Sequence, residues 1–103
     1  TGHGSYLAFP RAGVELRGEV TRWHTRGDSG NTKTHAFCPV CGSPVYLTPA
    51  AAPDVFIVHA ASLDDPSRFR PQMVTYGMRG YAWDRIDPAL PKFDRMPPAG
   101  NAD

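Results

Sequence analysis

The chain has 103 residues and a net charge of +1, which is one domain by length and gives no electrostatic footprint for nucleic acid or an anionic membrane. No run of about 18 apolar residues and no charged-then-apolar leader is present, so a soluble, cytoplasmic protein is expected. Ten glycines and eleven prolines argue against long helices, and two cysteines are too few for a disulfide scaffold.

In chain order, "SYLAFP" (5–10) and "VELRGEVTRWHT" (14–25) are rich in β-branched and aromatic residues and read as extended runs. "RGDSGNTK" (26–33) is polar and glycine-rich, a hairpin-like loop leading into "THAFC". "PVYLT" (44–48) and "DVFIVHAA" (54–61) read as two more strands, the second so continuously apolar that a central position is expected. "MVTYG" (73–77) is a further strand, and no segment has helical periodicity. From Asp87 the chain is proline-rich, an arm expected to lie over the core and then fray. The fold class is mainly β, with antiparallel pairing implied by the short connections. The expected organisation is one domain over residues 1–92 and a C-terminal tail over 93–103.

Both cysteines fall in "AFCPVCGSPVY" (36–46), three positions apart. This spacing lets two thiolates reach one ion from a single turn. Pro39 presets the backbone after Cys38, and Gly42 is free to take a positive φ that turns nearby amides toward the sulfurs. A redox dithiol is the rival reading, but those motifs place the first cysteine at a helix N-terminus. Here Gly42, Ser43 and Pro44 lead into a strand, which favours a metal knuckle, with two inert reduced cysteines as the third option.

A structural zinc needs four ligands. His3, His24, His35 and His59 are the other candidates, but none has ligand spacing to another, and each reads better as an ordinary surface or strand residue. Asp64 and Asp65 resemble a paired carboxylate, yet Asp65 before Pro66 fits a capped turn better, with Ser62-x-x-Asp65 imitating a capping box. Trp23, Tyr76, Tyr81 and Trp83 are expected to pack in the core rather than floor a ligand site. Arg68, Arg70 and Arg79 are suited to bidentate carboxylate binding, although solvated surface is the commoner fate.

Three stretches in fixed order, "FCPVCGSPVY", "ASLDDPSRFRP" and a tryptophan followed by "IDPALPKFDRMP", resemble the glutathione-dependent formaldehyde-activating enzyme family. The resemblance implies a β-tent of antiparallel sheets, a fold shared with methionine-R-sulfoxide reductases and a Rab exchange chaperone. It implies a carbon–sulfur lyase of the S-hydroxymethylglutathione synthase type, with zinc as cofactor and a small thiol or aldehyde such as glutathione or formaldehyde as substrate. In that family an N-terminal CxC pair joins the CPxCG knuckle around a structural zinc, and a second cysteine cluster binds another, proposed as catalytic. Only Cys38 and Cys41 carry over, as half of the structural site, and no residue matches the catalytic cysteines. The opening "TGHGSYLAF" resembles the stretch just after that cluster, so a truncated chain is expected. The alternatives are ligands supplied by a second chain, as in a homodimer, or loss of the metal. A zinc-stabilised β-tent acting as a non-enzymatic binding module is the second functional reading. A methionine sulfoxide reductase is disfavoured, because no cysteine follows Cys41.

Overall fold

The computed structural model describes residues 2–27 and 30–97. Five strands form one antiparallel sheet: β1 (Tyr6–Pro10), β2 (Thr21–Arg26), β3 (Thr32–Phe37), β4 (Pro44–Pro49) and β5 (Val55–His59). Their order is β1-β5-β4-β3-β2, with every pairing antiparallel. Local sequence explains most of this. β2 and β3 are joined by the polar, glycine-rich loop, closed by Gly27 and Asn31 (N–H to O, 3.0 Å). β3 and β4 are joined across the cysteine turn, and a register shift between Ala36 and Phe37 bends β3 as it enters that turn.

Strand parity divides the sheet into two chemically different faces. One carries Ala36, Tyr46 and Phe56, which form the buried cluster together with the half-buried Val14, Val20 and Val58. The Tyr46 and Phe56 rings meet at 4.6 Å, a tilted pair contributing about 0.5–1.5 kcal/mol beyond area burial. The Arg22 guanidinium donates to the Tyr46 hydroxyl at 3.1 Å and so satisfies the polar end of that ring. The other face carries Trp23, His35, Leu47 and Ile57 in one cross-strand row, and the pair His59 and Tyr6 in the next.

Several expectations are modified. The apolar strand β5 is interior, but β4 is the middle strand. Residues 14–20 are not a strand. Gly18 sits at φ +84°, which breaks the extended run, and Val14 and Val20 serve the core from irregular backbone. "MVTYG" contributes only a single parallel bridge, Val74 to Lys92. Tyr76 explains why, since its φ of +54° is incompatible with a strand.

By packing, residues 5–69 form one compact unit, and residues 2–4 with the described residues from 70 onward form another. The second unit is built by chain crossings rather than a ladder. Val74 N–H donates to Pro91 O and Phe93 N–H donates to Val74 O, both at 2.8 Å, on either side of Lys92. Gly77 N–H to Phe93 O adds a third at 2.9 Å. The proline-rich arm thus begins as the partner of 74–77, and its end, 98–103, lies outside the described residues. No helix among the described residues is long and apolar enough to cross a membrane.

Candidate metal and ligand site

The cysteine turn is held by its own backbone. Cys38 N–H donates to Ser43 O and Gly42 N–H to Cys38 O, both at 2.9 Å, with Gly42 at φ +78°. The positive φ anticipated for Gly42 is therefore what closes the turn. Val40 N–H points at the Cys38 sulfur at 3.4 Å, and the Cys41 sulfur is hydrogen-bonded to the Ser43 hydroxyl at 3.3 Å. The Ser43 hydroxyl, then the Ser43 backbone and the neighbouring Cys38, hold the Cys41 thiol below its ordinary range. Both thiols are free, Cys38 half-buried and Cys41 exposed, and Val40 at the tip is 92% exposed. No helix follows the turn, so the feature a thioredoxin-like dithiol uses is missing.

The donor chemistry suits a thiophilic ion such as zinc, but it stops at two ligands. Among the described residues no group of three or more His, Cys, Asp or Glu side chains is placed to hold a metal ion. The four histidines go elsewhere. His24 Nδ1 meets the Thr34 hydroxyl at 2.9 Å, and His35 Nε2 meets the Thr25 hydroxyl at 3.0 Å. His59 packs on Tyr6 with ring centroids 4.7 Å apart, and His3 pairs with Asp84.

Beside the knuckle lies a pocket of about 220 Å³ lined by Trp23, His35, Ala36, Phe37, Gly42, Pro44 and His59. It is smaller than the roughly 300–1,000 Å³ that drug-sized ligands occupy. Its walls are apolar apart from two imidazoles. Burial, and secondly the charge of Lys33, lowers the pKa of His35, while burial and then His35 lower that of His59. Both rings are therefore biased to the neutral form, in which each offers one donor and one acceptor. Trp23 stacks on His35 at 4.6 Å and 19°. A larger concavity of about 290 Å³, lined by Arg11, Thr34, Thr48, Pro49, Ala50 and Pro53, holds one cation and neither thiol nor imidazole, so it lacks the chemistry of the knuckle side.

Sequence reasoning set His35 and His59 aside as ordinary strand residues, and the sheet brings them to one pocket. The usable signal was the hairpin register, which places Trp23 opposite His35. The aromatic residues also depart from expectation. Trp23, Tyr81 and Trp83 are exposed rather than buried, Trp23 because it stands on the edge strand β2 and faces away from the core cluster. Asp65 does cap the 3-10 turn Pro66–Arg68, accepting from Ser67 N–H at 3.2 Å, with Pro66 at its first position. Ser62 does not complete a capping box. Its hydroxyl donates to His59 O at 2.7 Å instead. Of the three arginines, Arg68 lies exposed in that turn, and Arg79 lies over the Tyr76 ring at 4.9 Å.

A mainly-β chain with a closed Cys-Pro-x-Cys-Gly turn beside a small imidazole-lined pocket is the class defined so far. Residues 2–79 match the family model described as glutathione-dependent formaldehyde-activating enzyme, and the chain belongs to that family. No curated protein and no solved structure matches it.

Proposed function

We propose that this chain is a β-tent of the carbon–sulfur lyase type, directed at the adduct of glutathione and formaldehyde, and that Cys38 and Cys41 are one arm of its structural zinc site. The observation that supports this most is the knuckle itself. Two sulfurs share one turn, hydrogen bonds already address both, and a glycine holds the φ the turn demands. That preorganisation suits thiolate ligands, because N–H and O–H donors stabilise the ionised sulfur. Zinc, when bound there, supplies positive charge that keeps both thiols ionised and clamps the turn. A structural zinc contributes about 10–16 kcal/mol, comparable to a small domain's whole net stability of about 5–15 kcal/mol.

The chain's own residues do the rest. The pocket next to the knuckle, about 220 Å³, suits a small group and is lined on its apolar side by Trp23, Phe37 and Pro44. Neutral His35 and His59 are suited to hydrogen-bond a hydroxyl or carbonyl oxygen there. The family's catalytic cysteine cluster has no counterpart among these 103 residues, whose only cysteines are Cys38 and Cys41. The chain by itself is therefore expected to leave the glutathione–formaldehyde addition at its uncatalysed rate.

A second reading, a zinc-stabilised binding module without catalysis, is favoured by the lack of a three-ligand group among the described residues. One experiment addresses both. Cobalt(II) titration of the reduced chain is expected to give thiolate-to-metal charge-transfer absorption that Cys38→Ser and Cys41→Ser each abolish, and metal uptake indifferent to both substitutions would refute the knuckle as a site. Exchange kinetics of formaldehyde with glutathione, run with and without zinc, separate lyase from module. A zinc-dependent rate above background on this chain would show that the missing cluster is dispensable.

A further inference from the structure

Strand pairing sets Thr34 of β3 opposite Thr48 of β4, on the sheet face that carries the buried cluster and away from His35 and Trp23. Both threonines are half-buried and both line the concavity of about 290 Å³. The Thr34 hydroxyl meets His24 Nδ1 at 2.9 Å. A hydroxyl has one donor and two acceptor positions, so Thr34 keeps its O–H to give when the imidazole donates to it. The Thr48 hydroxyl has no hydrogen-bond partner among the described residues. Arg11 closes a third side. Its Nη1 donates to Val14 O at 2.9 Å, and its guanidinium carbon lies 5.7 Å from the centre of the Phe56 ring. Its backbone N–H donates to Asp54 O at 2.7 Å. These contacts fix the cationic head in place without neutralising it. Arg22, His24 and Arg26 alternate along β2 on the same face. Among the described residues none of these four side chains has a carboxylate partner, since the ion pairs there are His3 with Asp84 and Arg17 with Glu15. Neither Asp54 nor Glu19 pairs with them.

We propose that this concavity is a carboxylate-binding site, with Arg11 as its anchor and the Thr48 and Thr34 hydroxyls as its second and third donors. A guanidinium carries five N–H groups, and Val14 takes one of them, so a two-pronged face remains for the two oxygens of a carboxylate. The hydroxyls supply donors for the lone pairs that the fork does not reach. Beyond the anion, Pro49 and Pro53 offer apolar surface and no N–H, which suits a short hydrocarbon body rather than a second charge. The ligand class is therefore a small organic acid. Inorganic phosphate shares the oxyanion chemistry but brings nothing for the proline rings to cover. No bond is made or broken here. The site lies on the opposite face of the sheet from the pocket of His35 and His59, so it stands apart from the reading of the cysteine knuckle.

The test is a titration of the nitrogen-15-labelled chain at neutral pH with propionate, propionamide and inorganic phosphate, the ionic strength being held constant with sodium chloride. Propionate should shift the Thr48 and Ala50 amides and the Arg11 Nε resonance in one saturable transition. A dissociation constant on the order of 1 mM is within reach of so small a ligand. Propionamide has the same shape without the charge and should leave those resonances in place, and phosphate should bind more weakly than propionate. Arg11→Gln should weaken propionate binding about tenfold, and Arg11→Lys, which keeps the charge but loses the fork, should fall between. Thr48→Val keeps Arg11 and the strand's shape and should weaken it about threefold, the loss of one neutral donor. That variant, with β3 and β4 amide shifts matching the parent, keeps the test decisive if Arg11→Gln disturbs the turn at Val14. Shifts that never saturate, shifts that propionamide reproduces, or parent-like affinity in Arg11→Gln and Thr48→Val would overturn the site. Phosphate binding as tightly as propionate would overturn its assignment to carboxylates.

Discussion

The sheet unit and the loop-built unit hold their reactive side chains by different means. In residues 5–69 the positions of Cys38, Cys41, His35 and His59 follow from a backbone ladder: the β2–β3 and β3–β4 registers put Trp23 beside His35 and close the knuckle between Phe37 and Pro44. In the other unit there is one bridged pair, Val74 with Lys92, and the His3–Asp84 pair is fixed by side-chain packing on Gly2 and by the turn at 81–84. A ladder tolerates change at its exposed side chains because its hydrogen bonds are backbone groups, though not at the buried cluster it carries. A packed strap does not, because each contact is a particular side chain. The difference therefore predicts where single substitutions act locally and where they act globally.

The largest expected effect breaks the sheet unit. Phe56→Ala removes a buried ring packed at a tilt against Tyr46 and should cost about 3–5 kcal/mol. With so small a buried cluster, that approaches the stability of the whole unit. Urea denaturation followed by far-ultraviolet circular dichroism should show the midpoint fall sharply or the native baseline vanish, and an unchanged midpoint would mean the core lies elsewhere.

Gly2→Val probes the other unit. The new side chain collides with Trp83, Tyr81 and Asp84 and should cost about 1–3 kcal/mol, confined to the strap and the 81–84 turn. Amide hydrogen exchange should rise around residues 81–84 and the Trp83 indole shift should move, while β3 and β4 keep their protection. Equal loss of protection in both regions would refute the contrast drawn above.

The smallest effect sharpens the chemistry of the pocket. His35 and His59 have lowered pKa values in the fold, so below the ordinary histidine range the unfolded chain binds more protons than the folded one. Stability should be level above about pH 6.5, the unfolded histidine value, and fall as the pH drops toward the lowered folded values. The decline is modest because both rings are largely solvated. The double variant His35→Gln, His59→Gln should flatten that part of the melting-temperature profile, and a variant profile that superimposes on the parent would remove these two residues as its source.

Much of this was legible in the residues because the governing interactions are short in sequence. Runs rich in β-branched, aromatic and apolar residues marked four of the five strands close to their observed bounds, and Asp65-Pro66 announced a capped turn that forms as expected. "CPVCG" announced a tight turn closed by a glycine at positive φ, which is what Gly42 provides. The strand read through residues 14–25 failed in its first half because Gly18 adopts φ +84°, and the strand at 73–77 failed because Tyr76 turns left-handed. Neither outcome is written in local propensity.

What the sequence determined by itself was the local grammar: strands, turns, the cysteine pair on one loop and the family to which these motifs belong. What only the tertiary structure decided was which distant groups meet. His35 and His59 come to one pocket because three antiparallel strands align them, and His3 finds Asp84 because the chain's start and its later loop pack together. The physical reason is range. Hydrogen bonds within a turn and alternation along a strand act over a few residues, whereas the approach of groups 24 or 81 positions apart depends on burial and register summed over the fold.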